Sequence, residues 1–156
     1  MVEKALLVGV YQDLDQKEET ESLVDELSSL VDTLGIPVGD KFITRIAKPN
    51  ARYYVGSGKA EEIAAHAQAI AADVIIFDHD LSPAQQRNWE ALSKIAVIDR
   101  QEVILDIFAK RARTKEARLQ VDLARMEYSL PRLTRFWSHL SRQGGGVGGK
   151  GEGESQ

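Results

Sequence analysis

Cysteine is absent from the 156 residues. That excludes disulfides and thiolate metal sites and fits a reducing compartment, so the cytoplasm is the expected location. No apolar run approaches the roughly eighteen residues needed to cross a bilayer, and no membrane partner is expected. The opening run Ala5-Leu6-Leu7-Val8 meets Gly9-Val10 too early for a signal peptide. The three histidines, His66, His79 and His139, lack metal-ligand spacing, so no metal site is expected. No serine or histidine arrangement suggests a nucleophile, and no catalytic residue is expected in this chain. Asp13, Asp15, Asp78 and Asp80 follow expected strands, where parallel sheets place their sites. Capping and solvation account for them better than an acidic active centre does.

What is present is ordinary in amount and uneven in placement. Hydrophobic content of 43% and charged content of 28% suit a globular chain able to bury a real core. The net charge of −4 conceals a division. Residues 1–99 hold 9 basic against 17 acidic side chains, whereas residues 100–156 hold 11 against 7. Within 110–142 the count is 9 basic to 3 acidic. An acidic body with a basic arm results, and a basic arm seeks phosphate backbone or an acidic surface.

Read in order, the chain alternates strand and helix. Strand-like runs occupy 5–10, 41–47, 74–77 and 96–98, and Tyr53-Tyr54-Val55 could extend or re-enter the sheet. Helical periodicity covers 20–34, with Leu23, Leu27, Leu30, Val31 and Leu34 as its apolar face and Gly35 as its stop. It returns over 59–72 and again from Ser82-Pro83-Ala84-Gln85, a capping box with proline at the first helical position. Asp99-Arg100-Gln101-Glu102 reads as a second capping box. Short connections between alternating elements predict an α/β fold, a small and largely parallel sheet flanked by helices.

From Leu119 the apolar residues recur at Leu123, Met126, Leu130, Leu133, Trp137 and Leu140, the heptad seam of a helix that faces a partner helix. A break is expected near Arg113-Thr114 and a kink at Pro131, with the seam continuing across it in a bent helix. The seam then runs into Gly144-Gly145-Gly146-Val147-Gly148-Gly149-Lys150. The expected organisation is an α/β subdomain over 1–105, a long basic helical arm over 106–143 forming one side of a hairpin, and a glycine-rich tip over 144–156. An exposed seam also predicts self-association.

Two glycine stretches imitate phosphate loops. Gly56, Ser57, Gly58 and Lys59 open a helix, and amides there can hold an anion. The pattern wants glycine where Tyr53 stands and a hydroxyl residue where Ala60 stands. It remains a candidate nucleotide-phosphate site, not a Walker loop. The second stretch has the spacing but places Gly151 where the hydroxyl belongs, and no strand precedes it. A closely approaching backbone tip explains it better. Arginines along the arm, with aromatic residues interleaved, favour RNA. The expected RNA-facing residues are Arg132, Arg135, Arg142, Gln143, Gly144, Gly145, Gly146, Gly148, Gly149 and Lys150.

Several segments carry longer signatures: Tyr54-Val55-Gly56-Ser57-Gly58-Lys59, Phe77-Asp78-His79-Asp80-Leu81-Ser82-Pro83-Ala84-Gln85-Gln86-Arg87-Asn88, Asp99-Arg100-Gln101-Glu102-Val103-Ile104-Leu105-Asp106 and Lys115-Glu116-Ala117-Arg118-Leu119-Gln120. With Leu130-Pro131-Arg132-Leu133 and Gln143-Gly144-Gly145-Gly146, they resemble the N-terminal region of the HflX family of ribosome-associated GTPases. The likeness spans about residues 50–156; residues 1–49 are compatible but less distinctive. It implies an α/β subdomain, a helical hairpin and then a GTPase domain that uses GTP and Mg2+. It further implies binding to the large ribosomal subunit and its rRNA, with the hairpin tip toward the peptidyl-transferase region, in ribosome splitting, rescue or biogenesis. ATP binding is also attributed to the family's N-terminal region. The tip departs from the family pattern: Lys150 stands where arginine is expected and Glu152 where proline is. Because the sequence stops before any complete phosphate loop, it is expected to be an N-terminal fragment that needs the C-terminal GTPase domain for hydrolysis, with no cofactor of its own. The alternatives are an adenine-nucleotide-binding α/β domain and a protein-interaction module.

Overall fold

A computed structural model of the chain describes residues 4–132. Four strands, β1 (Ala5–Tyr11), β2 (Val38–Arg45), β3 (Val74–Phe77) and β4 (Ala96–Asp99), form one sheet in the order β2-β1-β3-β4. Every pairing is parallel. The helices are α1 (Lys17–Thr33), α2 (Ser57–Ala69), α3 (Pro83–Ser93), α4 (Arg100–Arg111) and α5 (Lys115–Ser129).

Period-two alternation divides the strand side chains between two cores. Leu6, Val8, Ile75, Phe77 and Val97 pack with Ile63, Ala67 and Trp89 of α2 and α3. Ala5, Leu7, Val74, Ile76 and Ile98 pack with Val24, Leu27, Val31, Val103 and Ile107 of α1 and α4. The connection through α1 runs one way from β1, and those through α2 and α3 run the other way. Right-handed crossovers then require these helices to lie on opposite faces. Covered on both sides, β1, β3 and β4 read as continuous apolar runs, whereas the edge strand β2 carries exposed Gly39, Asp40 and Lys41 and starts at Val38, before the run expected from 41.

Several expectations shift in detail. The buried face of α1 is Thr20, Val24, Leu27 and Val31, while Leu23 remains 38% exposed. The cause lies in β1: a Cβ on Gly9 would meet Val24 Cγ2 at 2.5 Å and Thr20 Cγ2 at 3.0 Å. The absent side chain lets α1 settle on the sheet along that line. Gly35, with φ of +80°, follows α1 in the left-handed conformation expected of a helix stop. Residues 53–55 do not join the sheet. Tyr53 and Val55 bridge each other, and Asn50 bridges Tyr54, in a local antiparallel turn.

The capping box at α3 is complete: Gln85 N donates to Ser82 Oγ at 3.1 Å and Ser82 N donates to Gln85 Oε1 at 3.0 Å. At α4 the cap is one-sided. Glu102 N donates to Asp99 Oδ1 at 3.2 Å, but the Glu102 side chain is buried. The expected interruption falls between α4 and α5, where Thr114 caps α5 by accepting from Ala117 N at 3.0 Å. Helix α5 ends at Ser129 and a turn covers 130–132, so no helix runs into Pro131; the seam beyond Arg132 lies outside the described residues. Among the described residues no helix is long and apolar enough to cross a membrane.

Candidate nucleic-acid interface

The first candidate, Gly56, Ser57, Gly58 and Lys59, sits where β2 has crossed over and α2 begins. The parallel sheet brings this helix start to the carboxyl ends of the strands, beside the reversal of strand order between β1 and β3. Gly56 is the N-cap, in extended conformation, with no side-chain hydrogen bond closing the end. Nothing lies within 4 Å of a Cβ built on Gly56 or Gly58. Lys59 is turned along the helix, however, pairing with Glu62 Oε1 at 2.9 Å, and its Nζ stands 5.9 Å from the Phe42 ring centre.

Immediately before that helix, Tyr54 holds φ of 72°, a left-handed conformation that costs a bulky residue free energy. Its ring lies against His79, with centroids 3.9 Å apart, and Phe77 also meets the imidazole, edge to face at 5.5 Å. Both His79 nitrogens are buried without a hydrogen-bond partner. Burial therefore disfavours the imidazolium and pushes its pKa down to about 4.

The strand ends on the other side carry carboxylates, each with an assigned partner. Asp78 accepts from Arg100 Nη1 at 2.6 Å, and Arg100 Nη2 reaches Glu26 Oε1 at 2.7 Å, tying β3, α4 and α1 together. Burial raises the Asp78 pKa despite the arginine. Asp99, at the end of β4, is fully buried and accepts from Leu81 N at 3.0 Å, from Glu102 N, and from the Tyr128 hydroxyl, which lies within reach of both its oxygens. Its pKa is also raised, because loss of hydration outweighs these donors.

Arg132 is the one expected RNA-facing residue within the described range. Its guanidinium points inward: Nη2 donates to Leu81 O at 2.7 Å, Nη1 donates to Tyr128 O at 3.2 Å, and the group stacks 3.8 Å from the Tyr128 ring centre. Arg135, Arg142, Gln143, Gly144, Gly145, Gly146, Gly148, Gly149 and Lys150 lie outside the described residues. Exposed cations are spread over the body, at Lys48, Arg52 and Arg87 among others, and a dense run of them, Lys110, Arg111, Arg113, Lys115 and Arg118, lies where α4 passes into α5.

Sequence reasoning missed the polar joint between α4 and α5. Arg125 Nη2 meets Asp106 Oδ1 at 2.9 Å with both side chains largely buried. Glu102, one turn before Asp106, is 6% exposed. Burial raises its pKa to about 7, against the pull of Arg125 and Arg132 and with the repulsion of Asp106 and Asp99. Burial likewise raises Asp106. A signal existed in the spacing: Glu102 and Asp106 are four apart on α4, and Arg125 and Tyr128 are three apart on α5, so each pair shares a helix face. The apolar seam drew the eye instead, and Leu119, Leu123, Met126 and Leu130 prove 54–63% exposed.

Fold and joint together define an α/β domain with a further helix, α5, strapped by polar contacts to the carboxyl end of its sheet. The family model for the GTP-binding GTPase N-terminal region matches residues 21–109, and that for the GTP-binding GTPase middle region matches residues 111–156. The boundary between the two matches falls at the passage from α4 to α5. The chain belongs to the HflX GTPase family, of which it represents the N-terminal and middle regions. It is 53% identical to GTPase HflX of Akkermansia muciniphila over 94% of this chain and 33% of that one. To GTPase HflX of Escherichia coli K12 it is 48% identical, over 99% of this chain and 35% of the relative. The chain thus spans about a third of the length of these curated relatives. Among solved structures, it is similar to a GTP-binding protein from Sulfolobus solfataricus in complex with GDP, at 25% identity and a TM-score of 0.54 over 81% of this chain and 38% of that one. A G235P variant described as SsGBP gives 26% identity and a TM-score of 0.60, over 84% of this chain and 40% of that one.

Proposed function

We propose that this chain is the ribosome-facing part of a GTPase, with its basic arm directed at large-subunit rRNA and its α/β body serving as the mount. One observation carries the reading. Five exposed cations, Lys110, Arg111, Arg113, Lys115 and Arg118, fall close together at the passage into α5, while acidic side chains outnumber basic ones 17 to 9 in residues 1–99, so the start of the arm is locally basic and the body acidic in sum. A polyanion approached by such a molecule attracts the arm and repels the body. Arg135, Arg142, Gln143, the glycines at 144–146 and 148–149, and Lys150 extend the same basic stretch. Arg132 supports the arm from behind. The family adds a role in ribosome splitting, rescue or biogenesis, with GTP and Mg2+ bound by a further domain, to which hydrolysis belongs.

Co-sedimentation with purified large subunits tests this. Binding should weaken steeply between about 50 and 200 mM salt, in the manner of phosphate contacts, and should fall further when Arg142 and Lys150 are both reversed to glutamate. Binding indifferent to both changes would reject the reading.

A phosphate site at the start of α2 is the second reading, favoured by the unclosed helix end and the open space above Gly56 and Gly58. Calorimetric titration with ATP, in parallel with the Lys59→Ala variant, decides it. No heat at millimolar ATP would remove this alternative.

A further inference from the structure

The turn at 130–132 is gripped from several sides, and the grips converge on one loop. Leu81, between β3 and α3, has both backbone groups held: its N–H donates to Asp99 Oδ2 at 3.0 Å and its carbonyl accepts from Arg132 Nη2 at 2.7 Å. Tyr128 spans the same two groups, donating to Asp99 through its hydroxyl and lying under the Arg132 guanidinium through its ring. Arg87 of α3 adds a bond of 3.3 Å from Nη1 to Pro131 O. Apolar burial contributes little here, since Ser129 is the one buried residue of α5. Polar contacts are directional where apolar contacts are not, so such a set fixes an angle as well as an attachment.

We propose that Asp99, Tyr128 and Arg132 form a latch that sets the direction in which the chain leaves the α/β body after α5, and that they are positioning residues for the RNA-facing arm. The purpose of the latch rests on the ribosome-binding reading above; its existence does not. The latch also couples the arm to the strand ends. The loop that carries Leu81 carries His79 two residues earlier, stacked on Tyr54, and Trp89 of α3 donates through Nε1 to Tyr53 O at 2.8 Å. The 50–54 turn, Leu81 and Arg132 thus belong to one continuous run of contacts.

The absence of cysteine makes the test direct. Spin labels on Glu61→Cys and Asp122→Cys, both exposed, report the separation of α2 from α5 in the full chain. The unmodified latch should give one narrow distance distribution. Tyr128→Phe combined with Arg132→Gln should raise the ratio of displaced to docked molecules by roughly tenfold or more, as expected for loss of a charge-assisted hydrogen bond. Tyr128→Phe alone should give a smaller increase, and its thermal midpoint serves as a check that the body remains folded. Large-subunit affinity should fall in the double variant although Arg142 and Lys150 are intact. An unchanged distance distribution overturns the latch, and a changed distribution with unchanged affinity overturns its positioning role. The distance measurement needs no ribosome. Failure of the ribosome-binding reading would show separately, as lack of binding by the unmodified chain.

Discussion

The body and the arm are held by different physics. In the body, Leu6, Leu7, Val24, Leu27, Ile75, Ile76 and Trp89 are completely buried in two layers against one sheet. In α5 the seam residues are more than half exposed, and what docks the helix is a set of carboxylates, arginines and a tyrosine. Apolar burial stabilises in proportion to area and tolerates small shifts; polar docking is worth less in sum but fails abruptly when one partner goes. A stable mount and a releasable arm can therefore coexist in one chain.

That contrast predicts a graded set of effects. Trp89→Ala should be the most damaging, costing about 3–5 kcal/mol of global stability by chemical denaturation. It leaves a large hole against Phe77 and Tyr53 and removes the indole bond to Tyr53 O. A loss below about 1 kcal/mol would mean that this layer of the body is not the apolar core described.

The pH dependence comes next in size and separates the two regions by sign. His79 belongs to the body, and its pKa falls from 6.5 to about 4. The unfolded chain takes up that proton first, so the His79 contribution is full above pH 6.5 and is lost as pH falls toward 4. Glu102 belongs to the joint, and its pKa rises from 4.5 to about 7. Here the folded chain keeps the proton longer, so the contribution is full below pH 4.5 and is lost as pH rises through 7. Each shift corresponds to about 3 kcal/mol at most. Denaturation of Glu102→Gln between pH 4.5 and 7 should show stability rising more steeply with pH than in the parent chain. His79→Phe should show the opposite change. Parallel curves for all three would contradict the buried environments assigned to these side chains.

The smallest effect is expected on the arm's outer face. Leu119→Glu with Leu123→Glu should alter the stability of the chain by only about 0.5 kcal/mol, because neither residue is buried. A cooperative loss of several kcal/mol, measured in the same denaturation assay, would show that the seam is already covered.

Much of the body was legible in the sequence because its elements announce themselves locally. Ser82, Pro83 and Gln85 mark the start of α3 whatever surrounds them, and the apolar runs of β1, β3 and β4 fit strands covered on both faces. Thr114 likewise marked the break before α5. The buried face of α1 was misread by one position, since leucine is a stronger apolar signal than the Thr20 and Val24 that fit against Gly9. Residues 53–55 have strand composition, yet the sheet edge they would need is not where the chain carries them. The joint was hardest to foresee. Asp99 looked like a helix cap and is one, but its second role depends on Tyr128 arriving from 29 residues away. Arg132 looked like a phosphate ligand because charge alone does not reveal which way a guanidinium points.

Under the proposed function the arm, carried by the body, meets RNA. Hydrogen exchange of the chain with and without large ribosomal subunits tests it most directly. New protection is expected from residue 110 onward, rising toward the glycine-rich stretch at 144–149, with α2, α3 and the strands unchanged. Protection concentrated on α2 or the sheet, with the arm exchanging freely, would contradict it.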